Sequence, residues 1–91
     1  MYYFYVLYSL KDHRLYKGTT SDVGKRLIRH NAGGTSSTKH RRPFILIYCE
    51  SYIEKVEATA RERWSKSLAG GSELREKLQS MSILNLEGQL F

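Results

Sequence analysis

The first run of apolar residues, YYFYVLYSL at residues 2–10, is rich in aromatic and β-branched side chains and predicts a β-strand. The run stops at a polar KDH segment, and a second strand pattern, RLYKGTT, follows at residues 14–20. Aspartate is a common turn residue because its side chain bonds the nearby backbone. The two runs therefore predict a β-hairpin whose two-residue turn is Asp12 and His13.

The register of this hairpin decides which side chains share a face of the sheet. A turn at those two residues pairs Leu7 with Gly18 and Tyr5 with Thr20. Successive side chains alternate between faces. One face then carries Tyr3, Tyr5, Leu7, Tyr16 and Gly18, and the other carries Tyr2, Phe4, Val6, Tyr8, Leu15 and Lys17. We expect Gly18 to leave a gap in which Tyr5 and Tyr16 approach a common ligand; a β-bulge is the alternative.

The segment SDVGKRLIRHNAGG predicts a helix that Ser21 or Thr20 caps and that a glycine pair ends. A polar basic loop, TSSTKHRRP, follows at residues 35–43. The next strand, FILIYCE at residues 44–50, is apolar almost throughout. Such a run is typical of a strand covered on both faces, in the middle of a sheet.

The segment IEKVEATARERWSKSL predicts a second helix with Val56, Ala60 and Trp64 as an apolar core stripe. Glycines at 70–71 would end it, and Ser72 would cap a short third helix, SELREKLQSM. The order β-β-α-β-α-α predicts an α/β fold. We expect a small sandwich in which a three-stranded antiparallel sheet carries flanking helices.

The distribution of charge points to a partner for this fold. The 91 residues suit a single domain, 1–91, with a formal net charge of +6. Residues 11–42 carry nine Lys or Arg against two Asp, whereas residues 43–91 carry six basic against seven acidic residues. The excess lies in one block, which favours nucleic acid as partner because phosphate neutralisation dominates such affinity. A basic face that serves solubility is the alternative.

Cysteine usage and hydropathy limit the possible metal sites and the cellular compartment. Cys49 is the only cysteine, which excludes an intrachain disulfide and a multi-cysteine zinc site. Its position in an apolar strand predicts a buried, inert thiol. No stretch reaches the roughly 18 apolar residues of a membrane helix, and the N-terminus lacks the pattern of a signal peptide. We therefore expect a cytoplasmic protein that does not bind a membrane.

Five residues at particular spacings carry the candidate chemistry. Tyr5 ends YFY, and Tyr16 opens YKG eleven residues later. Arg26, in DVGKRLIRH, follows Tyr16 by ten residues, and His30 follows Arg26 by four. Glu62 lies in ATARERWSKS. Taken singly, each is also explained as a packing or surface residue. Together, in this order and spacing, they resemble the GIY-YIG nuclease superfamily.

The resemblance covers residues 2–78 and is strongest to the small single-domain members, which are similar to the nuclease module at the start of the excinuclease C subunit. STKHRRP looks like a loop of those members. Tyr3 stands where the family has glycine, Lys17 replaces an apolar residue, and Ser65 replaces another. LAGGSE also departs from the family's Gly-x-Gly-Arg run. The last two departures bear on how the helix that carries Glu62 packs.

The resemblance implies a metal-dependent endonuclease. Glu62 would be the only protein ligand of one Mg²⁺ or Mn²⁺ ion, which suits a cation that keeps most of its waters. Arg26 would neutralise phosphoryl oxygens, and Tyr16 would accept the proton of the attacking water. Tyr5 and His30 would hydrogen-bond the water or phosphate and orient Tyr16. A free phenol has a pKa of about 10, so a base of this kind needs positive charge nearby.

Further basic residues are expected to bind the nucleic acid: Lys17, Lys25, Arg29, Lys39, His40, Arg41 and Arg42. The expected substrate is DNA, in repair or recombination, with RNA as the alternative. Substrate choice would come from a protein partner or from loop 33–42. The oligomeric state and the role of residues 80–91 stay open.

Two other functions are compatible with the sequence. One is a nucleic-acid-binding module that keeps the fold without catalysis, and the other is a structural or regulatory adaptor. On a helical wheel Glu62 lies opposite the Val56–Ala60–Trp64 stripe, so its alternative role is a solvent-facing ion pair with Lys66.

Overall fold

The computed structural model describes residues 1–91 and confirms the predicted order of elements. The strands are β1 (Tyr2–Ser9), β2 (Leu15–Thr20) and β3 (Phe44–Tyr52); the helices are α1 (Val23–Asn31), α2 (Lys55–Ser65) and α3 (Leu68–Ser80); a 3-10 turn, Lys39–Arg41, precedes β3. The three strands form one antiparallel sheet in the order β2-β1-β3. None of the helices has the length and apolar character needed to cross a membrane.

The sheet has an apolar core on each face. On one face Tyr5, Leu7 and Phe44 pack with Val23 and Leu27 of α1. On the other face β1 packs against α3 and the C-terminal segment; this core consists of Phe4, Val6, Tyr8, Leu74, Leu78 and Leu84. The division of β1 side chains between the two faces is therefore the one that the alternation predicts.

The prediction that the strand from residue 44 lies in the middle of the sheet is wrong. β1 is the middle strand, with all residues from Phe4 to Ser9 buried, and β3 is an edge on which Ile45 and Leu46 are exposed. Cys49 is exposed as well, so the predicted buried thiol is also wrong. Both strands are apolar runs, and composition alone does not show which of them has a neighbouring strand on each side.

The hairpin register differs by two residues from the predicted one. Tyr5 pairs with Gly18 and Leu7 with Tyr16, because the connection is longer than a two-residue turn. His13 has a positive φ of 61°, and its backbone N–H donates to the Ser9 carbonyl at 2.9 Å. A shift of two residues keeps every side chain on its predicted face, since the alternation has a period of two.

Helix α1 is capped and tied by polar side chains. Asp22, rather than Ser21 or Thr20, is the N-cap, and its Oδ1 accepts from the backbone N–H of Lys25 at 3.0 Å. At the other end, the Asn31 amide bonds both backbone groups of Phe44. This pair of bonds closes the base of the basic loop.

Helix α2 buries the side opposite to the predicted stripe. Ala58 and Ser65 are fully buried, whereas Val56 is 72% and Trp64 46% exposed. On the buried side the Arg61 guanidinium lies 4.8 Å from the centroid of the Phe4 ring. Small side chains allow close approach to the sheet, and the apolar stripe is left outside.

The predicted helix break at Gly70–Gly71 with a Ser72 cap is also wrong. Helix α3 begins at Leu68, and the side chain of Ser67 caps it by accepting from the Gly70 N–H. A Cβ at Gly70 would lie 1.8 Å from the Trp64 carbonyl oxygen, so glycine is required for the tight α2–α3 connection. The glycines permit the turn instead of ending a helix.

Candidate active site

A chain of hydrogen bonds lies between β1 and α1. The Tyr5 hydroxyl is 3.0 Å from His30 Nε2, and His30 Nδ1 is 2.8 Å from Thr38 Oγ1. The Thr38 hydroxyl donates its hydrogen to the Thr35 carbonyl, so it must accept a hydrogen bond from His30 Nδ1–H. His30 Nε2 then carries no hydrogen and accepts a hydrogen bond from the Tyr5 hydroxyl. Tyr5, His30 and Thr38 are at most 1% exposed. The chain therefore fixes the imidazole in one tautomer.

The buried environment sets the protonation of this chain. Burial and the neighbouring Tyr16 raise the pKa of Tyr5 to about 12, against the opposing effect of Arg26. Burial, together with the charges of Arg26 and Arg29, lowers the pKa of His30 below its ordinary value. Both groups are therefore neutral near pH 7, and Tyr5 acts as a hydrogen-bond donor.

Tyr16 lies next to this chain and is only half-buried. Its ring meets the His30 ring edge-on at 4.8 Å and lies 6.3 Å from the Tyr5 ring. The Tyr5 hydroxyl bonds His30, and His30 bonds Thr38 with its other ring nitrogen; neither Tyr5 nor His30 bonds the Tyr16 hydroxyl. Of the two phenols, Tyr16 is thus the one available to a substrate, and the buried rings of Tyr5 and His30 pack against it.

Gly18 explains how Tyr5 reaches this position. A Cβ at residue 18 would lie 2.5 Å from the Tyr5 hydroxyl oxygen, so any other residue would displace the ring. The gap that glycine leaves is therefore filled by Tyr5 itself, and the expectation of an open ligand space between Tyr5 and Tyr16 is wrong. The glycine instead holds the hydrogen-bonded chain in place.

Arg26 of α1 and Glu62 of α2 are the charged side chains that act electrostatically on Tyr5. After burial and Tyr16, these two charges are the groups that act on the pKa of Tyr5, which Arg26 lowers and Glu62 raises. The Glu62 carboxylate also accepts from Lys66 Nζ at 2.6 Å, with the Glu62 side chain 23% exposed. The ion pair with Lys66 forms as expected, with Glu62 half-buried and Lys66 53% exposed.

Glu62 is the carboxylate of this site, and its surroundings can be compared with the needs of a metal ion. No group of three His, Cys, Asp or Glu side chains lies close enough to enclose a cation. A single, partly exposed carboxylate fits a hard cation such as Mg²⁺, which keeps several waters. The Lys66 ammonium occupies one carboxylate oxygen, Oε2, and an ion would compete with it there.

The predicted nucleic-acid-binding residues fall into two groups. The exposed group consists of Lys25, Arg29, Lys39, His40 and Arg42. Lys39, His40 and Arg42 line an open cavity of about 440 Å³, together with Lys11, Asn31 and Pro43. The other two cations bind within the protein: Lys17 donates to the Ser65 carbonyl at 2.8 Å, and Arg41 pairs with Asp12 at 2.6 Å.

Lys17 joins two positions at which the chain departs from the family pattern. Its ammonium lies on the α2–α3 face of the sheet, where it donates to the backbone carbonyl of Ser65. Ser65 is the second residue that stands where the family has an apolar one. Burial and the charge of Arg75 lower the pKa of Lys17. This hydrogen bond links β2 to the end of the helix that carries Glu62.

Sequence reasoning missed two features that support the site. Thr38 orients His30, but it lies in a Ser/Thr-rich loop where nothing marks it as buried. The Glu50 carboxylate accepts from Arg61 Nε at 2.9 Å and from the hydroxyls of Tyr48 and Tyr52. Two tyrosines at two-residue spacing around a glutamate in a strand are the only signal for this cluster.

Comparisons with known proteins show the family of this chain. The GIY-YIG catalytic domain family matches residues 1–71, and the chain belongs to that family. Within it, the chain is similar to small UPF0213 proteins. It is 40% identical over 75 residues to UPF0213 protein SH2523 of Staphylococcus haemolyticus, covering 81% of this chain and 90% of the relative.

Two further relatives extend the similarity. UPF0213 protein YazA of Bacillus subtilis is 44% identical over 68 residues, 74% of this chain and 68% of YazA. The solution NMR structure of UPF0213 protein BH0048 from Bacillus halodurans superposes with a TM-score of 0.53 at 33% identity, covering 97% of this chain and 93% of that one. The sequence resemblance to the GIY-YIG superfamily is thereby confirmed.

Proposed function

We propose that this protein is a metal-dependent endonuclease that hydrolyses phosphodiester bonds in nucleic acid. Membership of a catalytic-domain family of nucleases supports hydrolysis as the reaction. The observation that carries the proposal is the half-exposed Tyr16, whose ring packs on the buried, hydrogen-bonded Tyr5 and His30. The charges of Arg26 and Glu62 both act electrostatically on Tyr5. A base, a cation for phosphoryl oxygens and a metal-binding carboxylate are the groups this reaction needs.

Each residue has a distinct part in the proposed reaction. Tyr16, acting as the phenolate, accepts the proton of the attacking water and becomes the phenol. Arg26 neutralises phosphoryl charge with its planar guanidinium. A divalent ion held by Glu62, Mg²⁺ or Mn²⁺, would supply further charge stabilisation. Because Tyr5 and His30 are buried, they act by holding the Tyr16 ring, and they do not need to touch the substrate.

The proposed substrate is DNA, bound through its backbone. The exposed cations of α1 and the following loop, including Arg29, Lys39 and Arg42, suit phosphate contacts, which carry little sequence preference. Selectivity for a repair or recombination substrate would then come from a protein partner or from loop 33–42. This part of the proposal rests on charge and exposure.

A cleavage assay tests the proposal. Nicked, branched, single-stranded and duplex DNA, with matching RNA, would be incubated with Mg²⁺ or Mn²⁺ and with chelator. We expect metal-dependent cleavage by the parent and none by Glu62→Gln, which keeps the shape of the side chain and removes its charge. Binding of the same oligonucleotides should be retained. Glu76→Gln, at an exposed position of α3, is the matched control and should cleave like the parent.

Two results would argue against this function. Cleavage by Glu62→Gln at the parent rate would reduce Glu62 to an ion-pair partner of Lys66. A folded parent that binds nucleic acid but cleaves no member of the panel would favour the non-catalytic binding module.

A further inference from the structure

A polar cavity of about 310 Å³ lies at the end of β2 and shares no residue with the cavity of the basic loop. Each residue that lines it carries a hydroxyl, a guanidinium or an ammonium group: Tyr2, Thr19, Thr20, Ser21, Arg26 and Lys55. No carboxylate lines this cavity. All of its side chains can therefore donate hydrogen bonds, and two of them are cations.

Most of these polar groups have no partner within the chain. Arg26 and Lys55 form no ion pair. Of the four hydroxyls only that of Thr20 is bonded, to the backbone of Asp22. Asp22 and Glu54 are the N-cap residues of α1 and α2, and neither lines the cavity. The positive charge of the cavity is therefore available to a ligand from outside the chain.

The fold brings Lys55 to this cavity from a distant part of the chain. Tyr2 pairs with Tyr52 in the sheet, and α2 begins three residues after Tyr52 with Lys55. Lys55 lies outside residues 11–42, the stretch that carries the excess of positive charge. The distribution of charge along the chain therefore does not indicate Lys55 as a binding residue.

Arg26 connects this cavity to the candidate active site. It lines the cavity, and its charge also acts on Tyr5. A backbone phosphate of a nucleic acid carries one negative charge and has only hydrogen-bond acceptors around its phosphorus. A phosphate of this kind therefore matches a lining that consists of donors and cations.

We infer that this cavity, called the Lys55 cavity below, binds a backbone phosphate of the nucleic acid beside the phosphate that Arg26 neutralises. Lys55 supplies the charge, and the free hydroxyls of Thr19 and Ser21 supply hydrogen bonds. The identity of this ligand rests on the proposed function.

The Lys55 cavity and the cavity of the basic loop lie at opposite ends of α1. Arg26, in the first turn of α1, lines the Lys55 cavity, and Asn31, the last residue of α1, lines the other. Phosphate contacts fix the register and orientation of a protein on nucleic acid. A nucleic acid bound at both cavities is thus held in one position along α1.

The salt dependence of binding tests the inference without any cleavage. A labelled DNA duplex would be titrated at rising salt in the presence of EDTA, which prevents metal-dependent hydrolysis. Lys55→Gln should lower the slope of log affinity against log salt by about 1, because each neutralised phosphate contributes about 0.9 on duplex DNA. Ser21→Ala should weaken binding and keep the slope, because it removes a hydrogen bond but no charge.

Arg63→Gln is the matched control. Arg63 is an exposed cation of the same helix, forms no ion pair and does not line the Lys55 cavity, so its removal should leave the slope near that of the parent. Circular dichroism melts would verify the fold; Lys55 is exposed, so Lys55→Gln should melt near the parent.

Two results would overturn the inference, whether or not the parent cleaves nucleic acid. One is a Lys55→Gln variant with the slope and affinity of the parent. The other is an equal loss of slope in Arg63→Gln, which would show a general effect of charge. A parent that binds through Lys55 but cleaves no substrate would instead support the inference and overturn the proposed function alone.

Discussion

At the scale of single residues, His30 connects the parts of the site. It accepts a hydrogen bond from Tyr5, donates one to Thr38 and packs edge-on against Tyr16. The position of His30 could be predicted from its spacing to Arg26, but its burial could not, because spacing along a chain carries no information on depth. In the proposed mechanism, buried His30 therefore supports Tyr16 and does not contact the substrate.

The lowered pKa of His30 predicts a pH dependence of stability. The folded protein keeps the imidazole neutral, whereas the unfolded chain takes up a proton as the pH falls through about 6.5. Stability should thus be lost below that pH, by at most about 1.4 kcal/mol per pH unit from this group. Urea unfolding at pH 7.5, 6.5 and 5.5 measures it.

His30→Gln should flatten this dependence between pH 7.5 and 5.5, even though it lowers stability overall. His40→Gln, at an exposed position, is the control and should keep the slope of the parent. If His30→Gln retained the full slope, the buried neutral imidazole would not be its source.

At the scale of elements, α2 is held by a buried charge cluster. Burial tends to raise the pKa of Glu50, but hydrogen bonds from Tyr48, Tyr52 and Arg61 outweigh it and leave the pKa lowered. The Glu50 and Arg61 side chains are 18% and 13% exposed. Because Arg61 precedes Glu62, this cluster fixes the rotation of α2 that leaves Glu62 half-buried.

Removing one member of this cluster should be costly. Glu50→Leu leaves the Arg61 guanidinium buried without its partner, for which a loss of about 3–5 kcal/mol is typical. Arg61→Met should lower stability in the same way. The double variant should lose less than the two single losses together, because neither charge is then stranded. Denaturant unfolding of the four proteins measures the coupling; strict additivity would contradict it.

The kind and order of the elements could be predicted from the sequence better than which face of each element is buried. A hydropathy wheel treats Arg61 and Glu62 as surface residues and Val56 and Trp64 as core, and the structure reverses both, because a paired guanidinium is buried and an apolar face is not. The hairpin faces were predictable since the alternation survives a shift of two residues. The start of α3 was not, because glycine breaks some helices and permits tight turns before others.

At the scale of the whole molecule, the excess positive charge lies in the stretch of chain that also carries Tyr16, Arg26 and His30. The exposed cations of α1 and its loop follow Arg26 along the chain, and the residues after 42 add no positive excess. Phosphate binding by such cations releases counterions, so affinity for nucleic acid should fall steeply with salt.

The slope of this salt dependence is a prediction. Replacing Lys39 and Arg42 together by Gln should lower the slope of log affinity against log salt by about 2, because each side chain would neutralise one phosphate in the parent. Lys77→Gln, on α3, is the control and should change it little. Fluorescence titration of a labelled duplex at rising salt measures the slopes. An affinity that is insensitive to salt would argue against phosphate binding.

The central claim is that Tyr16 is the catalytic phenol, and a single-turnover cleavage assay of Tyr16→Phe tests it most directly. Phenylalanine keeps the ring that packs on His30 and deletes only the hydroxyl. We predict a rate at least about a hundredfold below the parent, as for loss of a general base, with binding and melting temperature nearly unchanged. Tyr2→Phe, on the other face of β1, should cleave like the parent. Cleavage by Tyr16→Phe at the parent rate, or a loss that only accompanies unfolding, would contradict the account.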